Sequence, residues 1–297
     1  MRGSWVFAAA ALALATPSQA EDFLGLKLDG SLGRGGHTRY VPPVSNPLFN
    51  ETPFITTELR PIWLSQEIPK GFLTGGGHID IIAAEIRIAI TERLGFIASK
   101  DGYADLDFNG VLPDDEGLAN LSLGFKYAVY SNPEIDGLVT LGIEYEPPVG
   151  DIDIAGIELQ GDGKGFVDLF ISGTRTYGKW GLQGNVGVNL AVDDDEDTSM
   201  LHASAHVDYA FTERFYPLFE LNSFTVINEA KRTPLDFEGT DIVNFGSTDG
   251  GTVITAAAGF RYIINDHIIA GLAYERPLTE RQDLLDWRLY ADLVLHF

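Results

Sequence analysis

Cysteine is absent from this chain. Its absence excludes disulfides, thiolate nucleophiles, zinc–thiolate centres and the lipid-modified cysteine of a lipoprotein. Positive charge is scarce: 20 Lys and Arg stand against 43 Asp and Glu, a formal net charge of −23. Phosphate backbones are bound by clustered Lys and Arg, so no nucleic-acid partner is expected. Long hydrophobic runs are missing as well. After residue 20 no apolar stretch approaches the roughly 18 residues a spanning helix needs. If the chain enters a membrane, it enters as strands.

One apolar run does occur, at residues 5–15. It follows a single Arg2 and precedes the small-residue stretch Thr16-Pro17-Ser18-Gln19-Ala20. This is the pattern of a secretory signal peptide over residues 1–20, with a mature chain from Glu21. The whole chain holds 33 Gly and 11% aromatic residues, at a mean hydropathy near zero. A barrel whose alternate residues face lipid reads this way, with glycine in turns and aromatics at the interfaces.

Residues 287–297 set the pattern. Trp287, Leu289, Ala291, Leu293, Leu295 and Phe297 alternate with Arg288, Tyr290, Asp292, Val294 and His296. A period of two marks a strand with one apolar and one mostly polar face. The alternation recurs throughout. Residues 78–90 set Ile82, Ala84, Ile86, Ile88 and Ile90 against Ala83, Glu85, Arg87 and Ala89. Residues 118–130 set Leu121, Leu123, Phe125, Tyr127 and Val129 against Asn120, Ser122, Gly124, Lys126 and Ala128. Further strands are expected over 54–66, 94–104, 138–146, 165–174, 180–191, 200–210, 215–226, 252–263 and 267–276. Tight turns fall near residues 92, 132, 178, 212 and 265. Longer polar connections fall near 67–77, 105–117, 147–163, 192–199, 227–251 and 277–285. Short turns on one side and long loops on the other, with an even strand count, fit an outer-membrane barrel.

Such polar faces suit a wet lumen, not a dry core. A soluble barrel with the apolar faces inward would enclose an interior too wide for side chains to fill. The expectation is an all-β, antiparallel, up-and-down transmembrane β-barrel of about 12 strands over residues 54–297. Residues 21–53 include four prolines and a Gly-Gly pair, and counting them as wall would give an odd number. They are expected as a lumen plug or at the periplasmic rim.

The mature chain resembles bacterial outer-membrane β-barrel channel proteins. Tyr290, Leu295 and Phe297 resemble the closing signal that the barrel-assembly machinery reads, with Asp292 where that signal often has Gly. Residues 116–127, Glu-Gly-Leu-Ala-Asn-Leu-Ser-Leu-Gly-Phe-Lys-Tyr, look like a recurrent strand of barrels attached to phenol meta-cleavage pathways, and the likeness covers about a dozen residues. The resemblance implies a bacterial outer-membrane location. It implies membrane lipid, lipopolysaccharide, the assembly machinery and a small-molecule solute as partners. No cofactor and no metal are expected.

Candidate lumen residues are Glu85, Arg87, Lys126, Glu144, Asp168, His202, His206, Asp208, Glu220, Arg261, Glu275, Arg288 and Asp292. Opposite charges on one wet wall can select solutes; they can equally pair across strands and hold the barrel in shape. His202 and Ser204 resemble the His-x-Ser pair of the outer-membrane phospholipase. In that family the pair faces lipid, whereas Leu201, Ala203, Ala205 and Val207 claim the outer face here. No third group is evident to orient the His, so an enzyme is not expected. The acidic run at residues 193–197 fails as a calcium loop. Thr198 stands where the sharp-turn Gly belongs, and Ser204 where the bidentate Glu belongs. It is expected as a solvated loop tip, or as a bridge through divalent ions to lipopolysaccharide. Gly161-Asp162-Gly163-Lys164-Gly165 lacks the spacing and following helix of a phosphate loop. Trp63, Tyr130, Tyr145, Trp180, Tyr209, Phe211, Phe215, Tyr262, Tyr274, Trp287 and Phe297 suit two interfacial girdles. Two functions remain open: a porin-like channel for passive passage of small solutes, or a structural or surface-interaction barrel with a closed lumen.

Overall fold

A computed structural model describes residues 28–154, 156–248 and 250–297; the expected signal peptide lies outside these residues. After a single helical turn, α1 (Gly30–Gly33), the described elements are almost all strands. They are β1 (Glu58–Ile68), β2 (Gly77–Ala89), β3 (Leu94–Ser99), β4 (Gly102–Phe108), β5 (Asp115–Leu118), β6 (Ser122–Asn132) and β7 (Gly137–Glu146). A small hairpin, β8 (Asp153–Ile154) and β9 (Ile157–Glu158), precedes the rest: β10 (Phe166–Tyr177), β11 (Trp180–Ala191), β12 (Ser199–Tyr209), β13 (Phe215–Asn228), β14 (Thr252–Asn265), β15 (Ile268–Pro277) and β16 (Trp287–His296).

Neighbouring strands pair antiparallel, and β1 pairs with both β2 and β16, so the sheet closes. The wall is twelve staves: β1, β2, β3, β6, β7 and β10 through β16. Short β4 and β5 pair with each other, and β4 pairs with β2, so they prolong the third and fourth staves on the outer side. Both staves break together. Lys100 takes a φ of 50°, and β3 ends at Ser99 while β4 restarts at Gly102. The Asp101 carboxylate then accepts the Ala84 N–H at 2.9 Å, filling in for a ladder carbonyl. Across the gap, the Ala119 N–H reaches the Gly102 carbonyl at 2.8 Å.

Two expectations from sequence are adjusted. The first wall strand starts at Glu58, not residue 54. Pro53 has no N–H to lend a ladder, and Phe54 and Ile55 turn inward, buried against Tyr40 and Ala89. The strand expected over 94–104 is two strands, for the reason just given.

The outward face is apolar around the wall. Ile82, Phe125, Ile143, Ile171, Val186 and Leu272 are all exposed. On a water-soluble protein a patch of this size would drive association. Against hydrocarbon it is solvated, and closure leaves no edge strand to satisfy. The barrel is therefore expected to keep its wall in detergent and to migrate differently on gels before and after boiling. Co-migration of the two samples, with extraction into plain buffer, would remove the membrane assignment.

Candidate functional site

The interior is not an empty tube. Residues 37–57 run through it, and the wall grips them mainly by their carbonyls. Four of these residues are prolines, at 42, 43, 47 and 53. Proline carries no N–H, so such a stretch brings few donors into the lumen and offers a row of acceptors. The wall supplies the donors. Arg261 reaches the Pro42 carbonyl at 2.9 Å, and Arg60 reaches those of Pro43 and Val44 at 3.0 and 3.1 Å. Lys126 reaches the Thr52 carbonyl at 2.8 Å, and Thr140 that of Pro53 at 2.7 Å. The two N–H groups at Val44 and Ser45 go to one carboxylate, Glu220, at 2.9 and 2.7 Å.

Charge on the segment matches charge on the wall. Its Glu51 lies against Arg87 at 2.9 Å and against Lys126. Its Arg39 pairs with Asp208 on a different part of the wall. The basic side chains Arg60, Arg87, Lys126 and Arg261 come from β1, β2, β6 and β14. Glu144, Asp168, Asp208 and Glu220 come from β7, β10, β12 and β13. The segment lies between them.

All thirteen candidate lumen residues face inward, each at most 8% exposed. They take part in several buried polar clusters. Arg87 is shared by Glu51, Glu58 and Glu85, the last two at 2.7 and 2.8 Å. Asp292 takes Arg60 at 2.7 Å and also Arg261. Arg288 meets Asp241 of the 229–251 loop at 2.7 Å and Gln66 at 2.7 Å. Glu275 accepts from Asn222 at 2.8 Å and from the Tyr290 hydroxyl at 2.7 Å. Glu144 accepts from Ser99 at 2.7 Å and Ser122 at 3.0 Å. His206 meets Glu220 at 2.7 Å.

His202 and Ser204 share the inner face but take separate partners. The His202 Nε2 meets Asp168 at 2.8 Å, while the Ser204 hydroxyl donates to Asn222 at 2.8 Å. The ring of Phe49, from the inner segment, stacks on His202 with centroids 4.5 Å apart. Gly187 makes room on the other side, since a Cβ there would stand 2.5 Å from the imidazole. His202 thus seats an aromatic of the segment.

Below and above this charged tier the inner face is apolar. At one end Ala89, Ala128, Leu138, Ile269 and Val294 surround Tyr40, Phe54 and Ile55. At the outer end Leu64, Ile68, Ile79 and Leu106 meet Leu159, Val243 and Phe245 from folded-in loops.

The acidic run at 193–197 is more than a solvated tip, as sequence had it. Asp197 is buried and accepts the N–H groups of Asp162 and Gly163, both at 3.0 Å. It ties two outer loops together, which the spacing of acidic residues alone does not reveal. Among the described residues no group of His, Asp and Glu is arranged to hold a metal ion.

One outer-loop carboxyl has an unusual affinity for protons. Burial pushes Asp283 up to about 6 from 3.8, against the opposing pull of Arg281. Between those values the folded loop binds a proton that the unfolded chain does not. Its contribution to stability is full below about pH 4 and is lost as pH rises through about 6. The carboxyl carbon of Asp283 is expected to titrate with a midpoint near 6 in NMR spectra. A midpoint at the ordinary value would mean that the residue is solvated.

No family model and no curated protein matches the chain. Solved structures do. An outer-membrane channel from Pseudomonas putida F1 superposes with a TM-score of 0.60 at 14% identity, over 87% of this chain and 100% of that one. The NanC porin superposes with a TM-score of 0.51 at 8% identity, over 82% of this chain and 100% of that one. At these identities the likeness is one of fold: the closed antiparallel barrel of bacterial outer-membrane channels and porins.

Proposed function

We propose that the protein is a porin-like outer-membrane channel for the passive passage of small solutes, held closed in this state by its own inner segment. One observation carries the reading. The segment is a guest in the barrel, docked through hydrogen bonds, ion pairs and apolar contacts with wall side chains, and among the described residues it continues into the wall at Glu58. The wall's arginines, Lys126 and carboxylates that hold it are groups that water or a passing solute could satisfy in its place. Once it moves, acidic and basic side chains from different parts of the wall face one aqueous space, an arrangement that orients and sorts ions and dipolar solutes.

The open lumen prefers cations. Glu58, Glu85, Glu144, Asp168, Asp208, Glu220, Glu275 and Asp292 outnumber Arg60, Arg87, Lys126, Arg261 and Arg288. Outside, Asp105, Asp107 and Glu116 add exposed acidic charge. Their field fades within about 10 Å at 0.1 M salt. In a planar bilayer under a salt gradient, the purified protein should give a reversal potential of cation sign that shrinks as salt rises. Anion preference at low salt would mean that the arginines govern permeation.

The near-complete burial of lumen side chains favours a second reading, a barrel closed for good that serves as a surface or structural element. Silence in the bilayer both with and without the inner segment would favour it.

A further inference from the structure

The outer loops do not splay into water. They fold over the mouth of the barrel and enclose a cavity of about 220 Å³. Its floor is wall: Ile79 on β2, with Leu106 and Phe108 on β4. Its sides and roof are loop: Phe72, Leu159, Leu235, Phe237 and Phe245 among them. Every side chain around it is Leu, Ile, Val or Phe. Nothing in the lining can donate or accept a hydrogen bond from its side chain.

Buried polar contacts hold the roof in place. Asp241 in the same loop is clasped by Arg288 of the wall. Arg232 donates to the Glu158 carbonyl at 2.8 Å, and the Gln160 amide to the Ile242 carbonyl at 3.1 Å. The space is thus walled by fixed elements and exists before any ligand arrives. Protein interiors seldom tolerate a void this size, because the surrounding atoms lose their contacts. An apolar cavity of about 150 Å³ stays dry and takes up benzene, so this one has room for more. The rings already there meet edge to face, Phe72 with Phe237 at 4.5 Å and Phe237 with Phe245 at 5.3 Å. On the solvent side Leu73, which lines the cavity, is 43% exposed.

From these features we infer that the cavity is a binding site for an uncharged apolar small molecule, one or two fused rings in size or a branched hydrocarbon of equal volume. A charged or strongly polar molecule would lose its hydration there and gain no partner. The inference names a solute class for the channel reading and rests on it only for onward passage; binding itself needs no open pore.

The test is 19F NMR of 1-fluoronaphthalene added to the full-length barrel in nanodiscs. One saturable site per barrel is expected above the linear partition into empty nanodiscs, with no competition from naphthoate. Leu235→Trp, which fills the space from a half-buried loop position, should weaken binding by at least about tenfold. Leu272→Trp on the lipid face should leave it unchanged. Both variants are checked for the unboiled gel form, so that loss of fold is not mistaken for loss of the site. Linear partition alone overturns the proposal, as does a saturable site indifferent to Leu235→Trp. Bilayer conductance of the same preparation tests the channel reading separately, so either idea can fail without the other.

Discussion

Deleting residues 28–53 is expected to turn a barrel of low, rare conductance into a steadily open pore. The deletion removes Glu51 from Arg87 and Lys126, Arg39 from Asp208, and the carbonyl row from Arg60 and Arg261. The charged wall side chains then stand in water, which solvates them, and the closed twelve-strand ladder is untouched, so the barrel itself should persist. Conductance should rise on the order of tenfold, since twelve strands enclose more space than their own side chains fill. Single-channel recording in planar bilayers reads this directly. If the deleted barrel assembles and conducts no better than the full chain, residues 37–57 are not what closes it.

The largest loss of stability is expected at Arg87. Three carboxylates, Glu51, Glu58 and Glu85, converge on this one guanidinium, and all four groups are buried. Arg87→Met keeps much of the volume and removes the charge they share. Breaking a buried pair from one side costs about 3–5 kcal/mol, because the remaining charges have no partner. Urea unfolding of the barrel in lipid vesicles should show a fall of that order. The exposed pair of Lys231 and Asp195 supplies the contrast: Lys231→Ala should leave the unfolding midpoint unchanged, because water screens an exposed pair. If the two variants unfold alike, the Arg87 cluster is not a stabilising element.

Sequence made the wall legible because a strand with lipid on one side and water on the other writes its own alternation. The inward placement of Arg87, Lys126 and Asp292 follows from their outward neighbours alone. Arg60 and Glu58 obey the same period and were missed. On β1 the inner face passes from Glu58 and Arg60 to Ile62 and Leu64, and Pro61 interrupts the run, so no face stands out. Glu51, Arg39 and Asp241 were out of reach for a different reason. They sit on irregular backbone, where no period says which way a side chain points, and their partners lie far away in sequence. The break at Lys100 and Asp101 was hidden because the residues on either side keep the alternation across it. The outer cavity draws on several separate loops, whose convergence is a property of the closed barrel.

Arg60 has two employments, and they bear on how the molecule is put together. It sits on the first strand and grips Asp292 on the last, so it spans the seam where the sheet closes. The same guanidinium holds the carbonyls of Pro43 and Val44. Gln66 and Arg288 span that seam a few residues away. The join between the ends of the sheet is therefore completed on a surface that the inner segment helps to build. Ala89, Leu138, Ile269 and Val294 pack around the same segment at one end of this surface. The order this implies is wrapping rather than threading: the strands curl around a segment already lying among them, and the first and last strands zip together over it.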